Sequence, residues 1–313
     1  MNPLIARLLA GLFIGAALLG TAGAQAAPKA SPMQRACEQI GGRLQSVGVK
    51  NCLAAGLTAS SVRSVKNVPL LYRDYIPAPG GASGAASEGS EPPKRVMMIG
   101  GIHGDELSSV SITFKWMQKL EQERLQPFQW RVIPCANPDG LLIRPSMRTN
   151  ASGVDLNRNF PTDDWEATAL NYWKKKTKSD KRRYPGKKAL SEPETRWLTE
   201  QIKEFKPDAI VSIHAPFGVL DYDGPREPPQ KFGYLRLQLL GTYPGSLGNY
   251  AGVSLKVPVI TLELPHAGIM PTAMQTQRIW GDMLTWLEEN LPRPVPADAA
   301  NVSLKKNLMR EAP

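Results

Sequence analysis

Apolar positions along this chain follow two rhythms, short near-continuous runs and longer stretches of helical spacing. Residues 68–75 and 95–101 are apolar runs bounded by turn-forming segments, which predicts two strands. Just after the second run, Leu107, Val110, Phe114, Met117 and Leu120 recur at helical spacing, so residues 107–124 read as a helix. Strand-like runs return at 130–136, 208–213 and 256–262, and amphipathic helices at 192–205 and 272–291. Ser191, followed three residues on by Glu194, predicts a capping box at the start of the first of these helices. Asn137-Pro138-Asp139-Gly140 reads as a turn, and residues 141–188 as irregular chain. Strands alternating with helices predict an α/β fold whose central strands are buried on both faces. Residues 77–94 are rich in Pro, Gly, Ala and Ser and read as the loop of a long hairpin. Too little chain precedes them to form a stable domain.

The first 26 residues stand apart from this pattern. Arg7 gives a positive start, residues 8–19 are almost wholly apolar, and Ala24-Gln25-Ala26 offers small residues for cleavage, which predicts a secretory signal peptide. That run is short for a span of about 20 residues, and no later segment looks transmembrane, so no stable membrane insertion is expected. The expected location is the periplasm. Such an oxidising compartment permits a disulfide between Cys37 and Cys52, while Cys135, in an apolar strand, reads as a buried inert thiol. The expected organisation is a leader over 1–26, an N-terminal segment over 27–59, one main domain over 60–292 and a loosely ordered tail over 293–313. The formal net charge of +10 is concentrated, because residues 174–188 hold nine Lys or Arg against one Asp. This run reads first as a solvated insertion and second as a surface drawn to an anionic cell-wall polymer. Nucleic acid is not an expected partner of an exported chain without a recognisable binding module.

Candidate chemistry begins where the 95–101 strand ends, at His103-Gly104-Asp105-Glu106. A His and a Glu three residues apart can reach one metal ion, although HxxE also occurs by chance in exposed loops. Two other strand ends change the picture. His214 closes one apolar strand and Glu263 another, and the carboxyl ends of strands are where such folds gather their chemistry. Two His and one Glu are a common ligand set for a catalytic zinc that keeps one position open. Taken alone, His214 reads as a core histidine bonded to backbone rather than as a ligand, and the plain reading of Glu263 is a strand-end salt bridge. A carboxylate after so apolar a strand is partly desolvated and needs a partner. Burial also moves its pKa toward the range of a general base. Between these segments, residues 148–161 carry Arg148, Asp155, Asn157 and Arg158, and an arginine fork matches a substrate carboxylate.

His103-x-x-Glu106, Asn137-Pro138-Asp139-Gly140, Gly153-Val154-Asp155-Leu156-Asn157-Arg158-Asn159-Phe160, Ser212-Ile213-His214 and Thr261-Leu262-Glu263 occur in the order seen in zinc carboxypeptidases. The chain resembles that family over roughly residues 60–290. Ser191-Glu192-Pro193-Glu194-Thr195 and Tyr243-Pro244-Gly245-Ser246-Leu247-Gly248 resemble its murein peptide amidase branch. The resemblance implies an α/β/α sandwich around a mixed, mostly parallel sheet. It implies a hydrolase with one zinc ion held by His103, Glu106 and His214. Glu263 would be general base and proton donor, Arg148 would stabilise the oxyanion, and Asn157 with Arg158 would hold the substrate's terminal carboxylate. Asp155 would orient His103. Tyr243 resembles the mobile tyrosine of digestive carboxypeptidases, at a different spacing from Glu263. The implied substrate is a peptidoglycan-derived peptide, cut at the γ-D-glutamyl–meso-diaminopimelate bond. The leader is a departure, since the recycling amidase of this branch acts in the cytoplasm.

Three rivals remain in view. A deacylase of the aspartoacylase or succinylglutamate desuccinylase type shares HxxE, a later His, a DLNR-like string and a Glu base, but the Asn-Pro-Asp-Gly turn and the full 153–161 string favour the peptidase. A general metallocarboxypeptidase acting on L-peptides would use the same residues. A non-catalytic wall-binding module predicts missing ligands, and all of them are present. His266 reads as part of a turn.

Overall fold

Strands whose side chains alternate between two apolar layers build the centre of the molecule. The computed structural model describes residues 30–77, 92–123 and 127–291. The expected leader, most of the 77–94 loop and the expected tail lie outside the described residues. The described residues from Ser31 to Leu291 form one compact unit. Its strands are β1 (Thr58–Arg63), β2 (Pro69–Tyr75), β3 (Lys94–Gly100), β4 (Phe128–Ile133), β5 (Ala209–His214), β6 (Val219–Asp223), β7 (Lys231–Phe232), β8 (Leu235–Leu237) and β9 (Val259–Glu263). They form one mixed sheet in the order β1-β2-β4-β3-β5-β9-β6-β8-β7. The run β4-β3-β5-β9 is parallel, and antiparallel pairs flank it on both sides.

Helices are α1 (Pro32–Arg43), α2 (Val49–Ala54), α3 (Leu107–Gln122), α4 (Pro138–Leu142), α5 (Trp165–Lys176), α6 (Pro193–Phe205) and α7 (Ala273–Asn290). Along β3, Val96 and Met98 join a core with Ile40 of α1, Trp116 of α3 and Trp280 of α7. Met97 and Ile99 join a second core with Trp197, Leu198 and Ile202 of α6. This strict alternation, period two on each strand, places helices on both faces and gives the expected α/β/α sandwich. The closing helix α7 starts with a capping box of Thr272 and Gln275, and α1 with one of Ser31 and Gln34. Cys37 and Cys52 are joined by a disulfide that ties α1 to α2. Cys135 is buried and free, and burial pushes its thiol up to about 12.

Four local expectations are corrected. The 77–94 segment does not connect a hairpin, because β4 lies between β2 and β3. Residues 141–188 are not wholly irregular. They contain α5, which lays only Trp165 and Ala169 into the interior and therefore shows little amphipathic signal, with Lys174, Lys175 and Lys176 at its carboxyl end. Asn137-Pro138-Asp139-Gly140 is the start of α4 rather than a free turn, with the Asn137 side chain accepting the Gly140 N–H. The capping box at Ser191 does not form. Glu192 holds the cap position, Ser191 Oγ donates to Glu192 Oε1, and Glu194 turns inward to accept from Asn150 and the Val65 N–H.

Candidate metal centre and cleft

The parallel register sets the site. β5 and β9 pair with His214 level with Glu263, and β3 ends beside them with Gly100 opposite Ile213. Past β3 the chain turns at Gly101, whose φ of +62° suits glycine, and reaches His103 and then Glu106 at the start of α3. Gly104 packs so tightly on the backbone of Gly140 and Leu141 that a Cβ there would collide. The HxxE loop is thus held between the sheet and α4.

Three ligand groups converge. His103 Nδ1 lies 2.8 Å from Glu106 Oε1, and His214 Nδ1 lies 3.0 Å from Glu106 Oε2 and 3.1 Å from His103 Nδ1. Ligand atoms held at about 2.0 Å around a tetrahedral zinc stand about 3.3 Å apart, close to this spacing. The remaining ring nitrogens are engaged elsewhere: His103 Nε2 lies 3.1 Å from Asp155 Oδ1, and His214 Nε2 lies 2.9 Å from Ser212 Oγ. Partners of this kind fix a metal-bound imidazole's tautomer and aim its free nitrogen. Both Nδ1 atoms and one carboxylate therefore face a single point, and all three residues are buried. The donor set fits one zinc ion.

Asp155 is the hub of the surrounding network. Its Oδ2 accepts from Arg148 Nε at 2.9 Å, and its Oδ1 also accepts the Asn157 N–H at 3.0 Å. Burial opposes its charge, yet Arg148 and His103 overcome it and hold the carboxyl well below the usual range. Arg148 Nη1 stands 3.6 Å from Glu106 Oε1. The Arg158 guanidinium lies over the Tyr243 ring at 4.3 Å, with Nη1 donating to the Asn157 carbonyl at 2.6 Å and its buried Nε unpartnered. The Asn157 side chain accepts the Leu247 N–H at 2.8 Å, which fixes the amide's orientation. Glu263 Oε2 is buried without a partner, and burial raises the carboxyl above its ordinary value.

All nine residues singled out in the sequence (His103, Glu106, Arg148, Asp155, Asn157, Arg158, His214, Tyr243 and Glu263) belong to this network. Eight of them line one cleft of about 680 Å³, and Asp155 supports it from behind. Tyr243 serves as a platform under Arg158, with its hydroxyl donated to the Leu240 carbonyl at 3.3 Å. His266 lies outside the cleft in an exposed turn, its carbonyl accepting from Ser108 Oγ. Sequence reasoning missed Ser212, although it sits two residues before His214 on the same face of the strand. It also missed Asp105, which pairs with Arg182 at 2.8 Å and so anchors the basic 174–188 segment at the cleft rim. Asp221 and Asp223 of β6 also line the cleft, brought there by the strand's alternation of polar and apolar residues.

Comparison with known proteins agrees with this geometry. The family model for zinc carboxypeptidase matches residues 63–231. Murein peptide amidase A of Escherichia coli strain K12 is 31% identical over 241 residues, 74% of this chain and 91% of that one. The murein peptide amidase A of Vibrio campbellii is 31% identical over 210 residues, 65% of this chain and 77% of that one. Bovine thrombin-activatable fibrinolysis inhibitor, solved in complex with tick carboxypeptidase inhibitor, shares the fold with a TM-score of 0.51 at 15% identity, over 73% of this chain and 86% of that one. Motif order, converging ligands and matched family model together place this chain in the zinc carboxypeptidase family, whose members are metallopeptidases.

Proposed function

We propose that this protein hydrolyses murein peptides at the γ-D-glutamyl–meso-diaminopimelate amide, with one zinc ion, on the exported side of the cytoplasmic membrane. The observation that carries the reading is the meeting, in one cleft, of three converging ligand atoms, an unpartnered buried Glu263 and the guanidinium groups of Arg148 and Arg158. Likeness to two murein peptide amidases supports the substrate class. The N-terminal leader sequence and the Cys37–Cys52 disulfide support an oxidising compartment.

Each residue's task follows from its environment. His103, Glu106 and His214 would hold the ion, which supplies Lewis acidity, polarising the scissile carbonyl and acidifying water. Arg158, preset on Tyr243 with a free Nε–H, and the oriented Asn157 amide hold the terminal carboxylate. Arg148, braced by Asp155, donates to the carbonyl oxygen as charge builds on it, a contribution of about 3–4 kcal/mol where one such donor is removed. Glu263 accepts a proton from the attacking water on its unpartnered Oε2 and delivers it to the departing amine. Its raised pKa suits both halves of that exchange. The test is digestion of γ-linked tripeptides by chelator-treated and zinc-restored protein. Hydrolysis that vanishes with the chelator and returns with zinc is expected; hydrolysis indifferent to metal would overturn the reading.

A further inference from the structure

The basic run of residues 174–188 has no part in the chemistry above, yet it is not a loose insertion. The chain leaves α5 at Lys176 and reverses through Lys178 and Ser179, which hold φ of +54° and +58°. The Trp173 indole braces the reversal: its Nε1–H donates to the Asp180 carbonyl at 2.8 Å, and its ring meets the Tyr184 ring edge-on at 4.9 Å. The Tyr184 carbonyl then accepts the Asp155 N–H at 2.8 Å. The Asn159 side chain donates to the carbonyls of Pro185 at 2.8 Å and Lys188 at 2.9 Å. The segment is thereby fixed to the loop that carries the hub of the site. Asp180, Arg182 and Arg183 also line the cleft, so this platform continues into the cleft mouth.

The platform carries more charge than its fold uses. A basic last turn complements the α5 dipole, which accounts for part of Lys174, Lys175 and Lys176. Arg182 pairs with Asp105 at 2.8 Å and Arg183 with Asp180 at 3.6 Å. The remaining cations, all lysines, are exposed, and none has an ion-pair partner among the described residues. Like charges repel within a screening length of about 8 Å at physiological ionic strength, a cost that a mobile loop relieves by spreading and this braced one does not. Lysine is a point charge on a flexible stem, suited to anions spread along a flexible chain, whereas a single planar anion favours arginine forks. Among the described residues, no exposed large hydrophobic side chain lies in 174–188, whereas a membrane-surface site joins its cations to apolar side chains.

We infer that the 174–188 platform docks polymeric peptidoglycan through the carboxylates of its stem peptides and so holds those stems at the cleft mouth. The choice of polymer rests on the peptidase reading above. A γ-linked glutamate keeps its α-carboxylate free on every stem, so the polymer repeats anionic charge along its length, matching a row of lysines beside the cleft that cuts the stem.

The test uses zinc-loaded protein and a variant carrying Lys174→Gln, Lys175→Gln, Lys176→Gln, Lys187→Gln and Lys188→Gln, exposed side chains outside the catalytic network. Co-sedimentation with purified sacculi should show the wild type bound and the variant largely free. Wild-type binding should fall between 0.1 M and 1 M salt, as the screening length drops from about 10 Å to about 3 Å. Sacculi whose carboxylates have been converted to amides should bind the wild type as poorly as untreated sacculi bind the variant. Release of diaminopimelate from tripeptide-bearing sacculi should fall in the variant by about ten- to a hundredfold more than cleavage of the free tripeptide, the range over which a charged surface concentrates its partner. Normal cleavage of the free tripeptide by the variant excludes misfolding. Sacculus binding indifferent to the substitutions or to the amidation would overturn the docking surface and leave the peptidase reading standing, as would tighter binding to phosphatidylglycerol vesicles than to sacculi. Binding that depends on both the lysines and the carboxylates, without release of diaminopimelate from any substrate, would overturn the peptidase reading and uphold the docking surface.

Discussion

Asp155→Asn isolates the hub of the site. Asp155 is fully buried and accepts from His103 Nε2 at 3.1 Å, the Asn157 N–H at 3.0 Å and Arg148 Nε at 2.9 Å. An asparagine keeps the shape but has one accepting oxygen. If that oxygen stays with His103 and Asn157, the amide NH2 faces the Arg148 Nε–H, donor against donor. A hydrogen bond to a charged group contributes about 1.5–3 kcal/mol, and unpairing a buried charge costs about 3–5 kcal/mol. Arg148 retains Glu106 at 3.6 Å, which places the expected loss of stability nearer the lower figure. Partners that orient a metal-bound imidazole are worth about 10- to 100-fold in metal affinity. Competition with a chromophoric chelator should show zinc binding weakened by that factor. At saturating zinc, kcat/KM should still fall by about 10²–10³, because Arg148 loses its station beside the carbonyl oxygen. An Asp155→Asn protein with wild-type zinc affinity and turnover would refute the idea that this carboxylate sets the site's geometry.

The same structure sets three further outcomes. Arg158→Ala should raise KM by about ten- to a hundredfold on peptides with a free terminal carboxylate, with a smaller effect on C-terminally amidated peptides; an equal penalty on both would remove Arg158 from carboxylate recognition. Glu194 is fully buried and burial raises it from 4.5 to about 7, so the folded state binds its proton more tightly than the unfolded chain. That stabilising contribution is whole below about pH 4.5 and is lost as pH rises to about 7, on the order of 3 kcal/mol. Glu194→Gln should flatten the pH dependence of denaturant midpoints over that window, and an unchanged slope would show that Glu194 is not its source. Cys37→Ala/Cys52→Ala opens a link between residues 15 apart and should cost about 3 kcal/mol, read by denaturant unfolding. Equal stability of the wild type in oxidising and reducing buffer would contradict a structural role.

The parts of this molecule legible in sequence are those where local pattern and tertiary placement coincide. Leu107 to Leu120 wrote α3 at helical spacing because that face packs on the sheet throughout. His103, His214 and Glu263 could be read as strand-end residues because the strands before them are buried on both faces. The α5 helix escaped because its exposed surface carries the charges of an apparent loop. Ser191 escaped its capping role because the buried Asn159 side chain, donating to it at 3.0 Å, claimed the hydroxyl first. No spacing links Asp155 to His103 across 52 residues; only likeness to a family suggests it, and only the fold brings the pair together. β6 has a period-two signal of its own, with Leu220 and Tyr222 turned to the core and Val219, Asp221 and Asp223 to the cleft. Two acids in a five-residue run masked it, since a strand that lines a cleft lacks the apolar continuity of its neighbours.

The central claim, that the His103–Glu106–His214 centre serves cleavage of murein peptides with Glu263 moving the proton, is met most directly by mass spectrometry of one defined substrate. L-Ala-γ-D-Glu-meso-diaminopimelate would be incubated with zinc-loaded wild type and with zinc-loaded Glu263→Gln protein. The account predicts free diaminopimelate and L-Ala-D-Glu from the wild type, and intact tripeptide from the variant despite its full zinc content. Intact tripeptide with the wild type, alongside hydrolysis of simple N-acyl amino acids, or equal release by both proteins, would contradict it.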